Sequence, residues 1–177
     1  AANPMPKPAD YEGPIGYYEY LQTVKKEGKH GEAFGYKTIN TDALGWIISR
    51  VSGNSITELL SERIWSRMGA EQDGYFTVDG IGTPFAGGGL SAGLRDLGRI
   101  GQLMLDKGEI NGERLFPANV ADKIRAGGDK TAFEKAGYNT LTGGSYSGMW
   151  WVFHNDHGAY AARGVHGQTI YIDPTAE

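Results

Sequence analysis

Apolar residues recur at helical spacing in one stretch of the chain, at positions i, i+3, i+4 and i+7. These positions are Leu44, Ile47, Ile48 and Val51. The spacing predicts an α-helix, which Asn40 or Thr41 can cap and Gly53 can end.

Two further helices are predicted downstream of Gly53. Ser55 and Glu58 belong to an S-I-T-E capping box, and the apolar pattern that follows runs to a terminating Gly69. Another helix has its apolar face between residues 94 and 104. Shorter helical stretches are predicted at residues 17–26 and 117–125.

The pattern changes to short aromatic and β-branched runs from Met149 onwards. The runs MWWVFH, GAYAARG and QTIYIDP are separated by glycine and polar residues, which predicts adjacent antiparallel strands. A shorter strand is predicted at residues 75–78, and a glycine-rich loop at residues 87–89. Side chains alternate along a strand, so Trp150 and Trp151 are expected to face opposite sides.

Composition limits the classes of protein to consider. A chain of 177 residues that is 40% hydrophobic can bury a sizeable core, and neither a repeat nor a linker divides it. The net charge is −4 and no basic run exceeds Lys25-Lys26, so nucleic acid is a poor candidate partner. No cysteine is present, which excludes disulfides, cysteine nucleophiles and thiolate metal sites.

The sequence does not identify a compartment. No apolar stretch approaches the ~20 residues of a membrane span. The first residues, AANPMPKPADYEGP, are polar and Pro-rich rather than basic and then apolar, which is not typical of a signal peptide. The sequence is compatible with both the bacterial cytoplasm and the periplasm.

Three motifs carry a family resemblance. They are Y-K-T-I-N-T-D from Tyr36, F-A-G-G-G-L-S-A-G-L-R-D-L-G-R from Phe85, and G-V-H-G-Q from Gly164. In combination they resemble the serine β-lactamase-like family, which includes class C β-lactamases, family VIII esterases and penicillin-binding proteins. The version found in 6-aminohexanoate-dimer hydrolases is the most similar. The resemblance covers residues 31–174 and implies an α+β fold, with an α/β lobe built on an antiparallel sheet plus a helical lobe.

The resemblance also implies roles for individual residues. Tyr36 would be the general acid–base that moves a proton between nucleophile and leaving group. Thr38, where many relatives have asparagine, and Gly87 would contact the substrate. Trp151 would lie near the leaving group.

The G-V-H-G-Q motif is similar to the edge strand that supplies an oxyanion donor in this family. Matching Gly164 and Gly167 to that strand assigns the backbone N–H of Val165 to the oxyanion hole. His166 would line the pocket, or be a hydrogen-bonded histidine at a strand end. Ala162 replaces the usual lysine, which makes a β-lactam a less favoured substrate than a linear amide, an ester or a peptide.

The family's nucleophile motif is absent from these residues, because no lysine has a serine three positions before it. We therefore expect residues 1–177 to be a single partial catalytic domain that lacks the Ser-x-x-Lys part and a C-terminal strand and helix. The small-molecule substrate would be cleaved without a cofactor. An exposed sheet edge could favour self-association. The alternative is a binding or sensor module on the same scaffold.

Two other patterns resemble functional sites. Gly89-Leu90-Ser91-Ala92-Gly93 matches the G-x-S-x-G nucleophile elbow, but the apolar strand that must precede an elbow is missing. Ser91 is better interpreted as part of the turn that begins the next helix. His154, His157 and His166 could suggest a metal, yet a β-turn does not bring His-x-x-His together, so exposed turn residues are the preferred interpretation.

Overall fold

The computed structural model describes residues 7–176 and confirms the predicted α+β class. Its helices are α1 (Tyr17–Thr23), α2 (Thr38–Ser52), α3 (Ile56–Leu60), α4 (Leu94–Leu105), α5 (Asn119–Ala126) and α6 (Lys130–Glu134). Its strands are β1 (Tyr75–Phe76), β2 (Leu90–Ser91), β3 (Glu109–Ile110), β4 (Glu113–Arg114), β5 (Ser145–Ser147), β6 (Trp150–Val152), β7 (Tyr160–Arg163) and β8 (Thr169–Ile172). No described helix has the length and apolar character needed to cross a membrane.

The chain forms two compact units. The first contains the described part of Ala1–Glu27 together with Lys37–Ser66 and Gln72–Gly93, and therefore holds α1 to α3 and the β1–β2 pair. The second contains Gly28–Tyr36, Arg67–Glu71 and the chain from Leu94 onwards, with the remaining helices and strands.

In the first unit, the helix predicted from the apolar spacing is α2. Gly53 ends it in the left-handed conformation at φ 75°, as predicted. The predicted cap at Asn40 or Thr41 is wrong, since α2 begins at Thr38 after an extended Lys37 that gives no side-chain cap. The earlier start has a packing reason: Thr38 lies against the loop at Gly87, where an added Cβ would be 2.3 Å from Thr38 Cγ2.

The apolar positions of α2 do not face a core. An amphipathic helix normally turns such a row inward, but all four side chains are exposed: Leu44, Ile47, Ile48 and Val51. We call these four residues the α2 stripe.

The capping box at the start of α3 is confirmed. The Glu58 N–H donates to Ser55 Oγ at 3.2 Å, and the Ser55 N–H donates to Glu58 Oε2 at 2.7 Å. The helix is shorter than its pattern predicts, because a π-helical turn, Ser61–Trp65, follows directly.

The second unit is built on a four-stranded antiparallel sheet in the order β5-β6-β7-β8. The three predicted strands are β6, β7 and β8, and β5 is an additional strand paired with β6. The two faces of β6 bury different clusters, as strand alternation requires. One cluster contains Met104, Ala121, Ile124, Val152, Tyr160 and Ile172, with Trp150 packed against it. The other contains Phe133, Leu141 and Trp151.

Candidate active site

Tyr36 is the last residue of a segment, Gly28–Tyr36, that belongs to the second unit. Its ring stacks on Trp151, with 5.8 Å between ring centroids and 14° between planes. It also meets Tyr146 edge to face, at 5.9 Å and 81°. Because Tyr36 is still 44% exposed, two neighbouring rings orient the phenol without burying it.

The segment that carries Tyr36 is held to its unit in two ways. The Phe34 N–H donates to the Ala132 carbonyl at 2.8 Å, and Lys135 Nζ donates to the Glu32 carbonyl at 2.9 Å. The Phe34 ring packs among four others, with centroids 5.1 to 6.0 Å away. These are Phe133, Tyr138, Tyr146 and Trp151. Tyr36 thus follows an anchored aromatic residue.

Tyr146 contacts Tyr36 and is more buried than that residue. Burial raises the pKa of Tyr146 to about 12, and the nearby phenols of Tyr36 and Tyr138 add to the shift. Tyr146 therefore stays protonated near neutral pH, where its hydroxyl can donate a hydrogen bond but cannot act as a base.

Thr38 and Gly87 lie together in the first unit. The carboxylate of buried Asp42 accepts the Gly87 N–H at 2.9 Å, which ties the glycine loop to α2. Burial raises the Asp42 pKa, and this hydrogen bond partly offsets the shift. One buried carboxylate therefore holds Gly87 against the helix that begins at Thr38.

Val165 and His166 lie in a turn, Val165–Gly167, between β7 and β8, and not in a strand as the motif suggested. The last hydrogen bond before the turn is donated by the Gly164 N–H to the Gln168 carbonyl at 2.8 Å. His166 is exposed and left-handed at φ 65°, an uncommon conformation for a residue other than glycine. Among the residues described, neither a hydrogen bond nor a ring contact connects this turn to Tyr36.

The sequence profile of the β-lactamase family matches residues 3–177, nearly the whole chain. The chain belongs to the β-lactamase family. Its predicted membership in the serine β-lactamase-like group is thereby confirmed, and with it the resemblance to 6-aminohexanoate-dimer hydrolases.

Two similar proteins make the comparison with this β-lactamase-family chain more specific. A 6-aminohexanoate-dimer hydrolase of Paenarthrobacter ureafaciens is 38% identical over 165 residues, which are 93% of this chain and 42% of that protein. A solved structure from Bacillus anthracis, of a protein assigned by name to the 6-aminohexanoate-dimer hydrolases, superposes with TM-score 0.86 at 36% identity. The match covers 97% of this chain and 43% of the Bacillus anthracis chain. The chain thus spans less than half the length of these relatives.

A third comparison supports the fold alone. A solved structure from Bacteroides dorei DSM 17855, of a protein assigned by name to the β-lactamases, superposes on this chain with TM-score 0.58 at 16% identity. It matches 98% of this chain and 57% of its own length.

Ser91 in this β-lactamase-family chain does not lie in a nucleophile elbow. It belongs to β2 and pairs with Tyr75 of β1, and the residues just before β2 form a turn instead of a strand. The prediction that Ser91 lies in the turn before the next helix is wrong, because this backbone pairing places it in a strand.

Over residues 7–176, no three His, Asp or Glu side chains are grouped so that they could hold an ion. His157 pairs with Asp173, with 2.8 Å between Nδ1 and the carboxylate oxygen.

No sequence motif predicts the hydrogen-bonded pair of Ser145 and His154. Ser145 Oγ lies 2.7 Å from His154 Nε2 and accepts the Gly128 N–H at 2.9 Å. Burial lowers the His154 pKa, and the charge of Lys130 lowers it further, which favours the neutral imidazole. The pair resembles a nucleophile with its base, but Ser145 is only 1% exposed, so substrate has no access to it. Its role is structural.

Proposed function

We propose that the protein containing this chain hydrolyses amide or ester bonds through an acyl-enzyme, with Tyr36 as the proton-transferring residue. One observation supports this most: a partly exposed phenol held between two aromatic rings, in a chain of the β-lactamase family. A serine hydroxyl would attack the substrate carbonyl while Tyr36, as the phenolate, takes its proton. Tyr36 would then give that proton to the departing nitrogen or oxygen, leaving the acylated serine.

The contrast between Tyr36 and Tyr146 supports this division of roles. Both rings contact Trp151, but Tyr36 is exposed whereas Tyr146 is partly buried, and burial raises the pKa of Tyr146 to about 12. Trp151, which is 9% exposed, would support the Tyr36 ring from beneath.

The remaining site residues belong to the same proposal. The Val165 N–H lies in the turn between β7 and β8 and would donate to the oxyanion. His166 would line the pocket, and Thr38 and Gly87 would contact substrate. The named activity of the Paenarthrobacter relative makes a linear amide the first substrate class to test, and Ala162 argues against β-lactams.

The proposed nucleophile and its lysine lie outside these 177 residues, because none of the nine lysines has the required spacing from a serine. We propose that both units belong to one partial catalytic domain of the whole protein. Self-association through the outer strands β5 and β8 stays a prediction, which sedimentation of the isolated chain can test.

A second function is supported by the same absence of Ser-x-x-Lys. Without a nucleophile, the fold would act as a binding or sensor module for a small amide or ester. This alternative requires saturable binding with no covalent product.

A serine-directed fluorophosphonate distinguishes these functions. We expect the protein translated from the complete gene to be labelled at a serine outside residues 1–177, and the isolated chain to stay unlabelled. A label on Ser91 would overturn the assignment. A complete protein that binds substrate but takes up no label would support the sensor module.

A further inference from the structure

A pair of glycines between α5 and α6 lies directly against β5. At Gly127, an added Cβ would overlap Ser145 Oγ and would lie 2.7 Å from His154 Nε2. At Gly128, it would overlap the Tyr146 carbonyl oxygen. Gly127 also adopts φ 78°, a conformation that residues with a Cβ rarely adopt. Neither position has room for a larger side chain, so the connection between the two helices is in close contact with the strand.

Two hydrogen bonds join this glycine pair to the sheet. Ser145 Oγ accepts the Gly128 N–H at 2.9 Å and shares a second hydrogen bond with His154 Nε2 at 2.7 Å. Ser145 is 1% exposed, so its hydroxyl depends on these two partners instead of water. His154 adopts φ 53°, an uncommon conformation that persists where surrounding contacts hold the residue. We call Ser145, His154 and the glycine pair the β5 clamp.

The β5 clamp and the Tyr36 ring are connected through β5. Ser145 and Tyr146 are successive residues of that strand, so their side chains point to opposite faces of the sheet. Ser145 pairs with Val152, which belongs to one core cluster, and Tyr146 pairs with a residue of the other cluster, Trp151. The Tyr146 ring meets the Tyr36 ring edge to face. The clamp therefore fixes the strand from one face, and Tyr146 contacts Tyr36 on the other.

A second connection runs from the β5 clamp through α6. Asp129, the residue after the glycine pair, caps α6, because its carboxylate accepts the Ala132 N–H at 2.9 Å. The Ala132 carbonyl accepts the Phe34 N–H at 2.8 Å, and Phe34 lies two residues before Tyr36. Two supports of Tyr36, the Tyr146 ring and the Phe34 segment, are therefore both connected to the clamp.

We propose that Ser145 and His154 are positioning residues for Tyr36, on which they act through β5 and α6 without contacting substrate. This inference rests on the proton-transfer role proposed for Tyr36. A group that takes a proton from a serine must lie within hydrogen-bond reach of it, about 2.6–3.2 Å, and a misplacement of about 1 Å can cost roughly 100-fold in rate. Loss of one bond in the clamp leaves the Tyr36 hydroxyl in the protein, so its effect should be smaller, roughly tenfold.

The rate of labelling by a serine-directed fluorophosphonate tests this positioning in the protein translated from the complete gene. We expect Ser145→Ala to lower the rate constant at saturating probe by roughly tenfold, with the half-saturating concentration changed by less than about threefold. His154→Asn should act in the same direction, because asparagine tolerates positive φ but is too short to reach Ser145. In the Tyr36→Phe background, either change should lower the rate by less than about twofold, since residues that act through one group are not additive.

Phe116→Ala is the matched control, because Phe116 packs in the same unit but lies outside the clamp and the Tyr36 segment. It should leave the labelling rate within about twofold of the unmodified protein. A spectroscopic measurement is independent of catalysis: in fluorotyrosine-labelled protein, the ¹⁹F NMR signal that Tyr36→Phe removes should shift in Ser145→Ala and not in Phe116→Ala.

An unmoved Tyr36 signal would overturn the positioning role. So would an equal loss of labelling rate with and without the Tyr36 hydroxyl. A complete protein that takes up no label, or a Tyr36→Phe variant that is labelled at the unmodified rate, would instead refute the proposed function. The NMR signal would then decide by itself whether the β5 clamp positions the Tyr36 ring.

Discussion

Replacing Phe34 by alanine tests whether the aromatic cluster anchors the segment that carries Tyr36. A phenylalanine-to-alanine change in a core costs about 3–5 kcal/mol, and the lower end suits Phe34 because it is only partly buried. Each ring pair adds roughly 0.5–1.5 kcal/mol beyond buried area. Phe34 has four such partners, but their contributions are not additive. We expect a loss of about 3 kcal/mol in the free energy of unfolding.

Urea unfolding followed by tryptophan fluorescence measures this loss. The matched control is Phe116→Ala, since Phe116 is partly buried against the other cluster and has no ring partner among the described residues. It should cost about 2 kcal/mol, from apolar area and cavity alone. A loss below about 1 kcal/mol for Phe34→Ala would refute the idea that this ring holds the segment.

Two further predictions concern buried polar groups. The lowered pKa of His154 means that the unfolded chain binds this proton before the folded one does, so stability should fall as pH drops below the ordinary histidine value of 6.5. Urea unfolding at pH 7 and pH 5 should show this fall, with a smaller fall in His154→Gln; equal falls would contradict it. Asp79 accepts the N–H groups of Tyr17, Ile81 and Thr83 at 2.8 to 3.0 Å. In the same assay, Asp79→Ala should lower the free energy of unfolding by about 2–4 kcal/mol. A loss below about 0.5 kcal/mol, which is typical of surface substitutions, would contradict this prediction.

Local signals predicted much of this fold. The capping box at Ser55 depends on contacts between neighbours, and the end of α2 depends on the freedom of Gly53 to adopt positive φ, so both could be derived from sequence. The start of α2 could not, because it is determined by packing between Thr38 and the distant Gly87 loop. Apolar periodicity predicts the helix but not what covers each face, which is why the exposure of the α2 stripe was unexpected.

The candidate site was predictable only where a motif existed. Tyr36, Thr38 and Val165 were identified through resemblance to a family, and their catalytic roles stay predictions. Tyr146 has no motif, and its contact with Tyr36 exists only because the strand that carries it folds beside the Tyr36 segment. The Ser145–His154 bond likewise depends on tertiary structure, not on a recognisable spacing.

The proton-transfer role of Tyr36 is tested most directly by comparing turnover of Tyr36→Phe and Tyr146→Phe in the protein translated from the complete gene. Both changes remove one hydroxyl and keep a ring in the same cluster, so packing effects are matched. We predict that Tyr36→Phe lowers kcat by roughly 100-fold or more, as loss of general acid–base catalysis does, and that Tyr146→Phe stays within about tenfold of the unmodified enzyme. Similar rates for Tyr36→Phe and the unmodified enzyme would contradict the account and leave Tyr36 a packing residue.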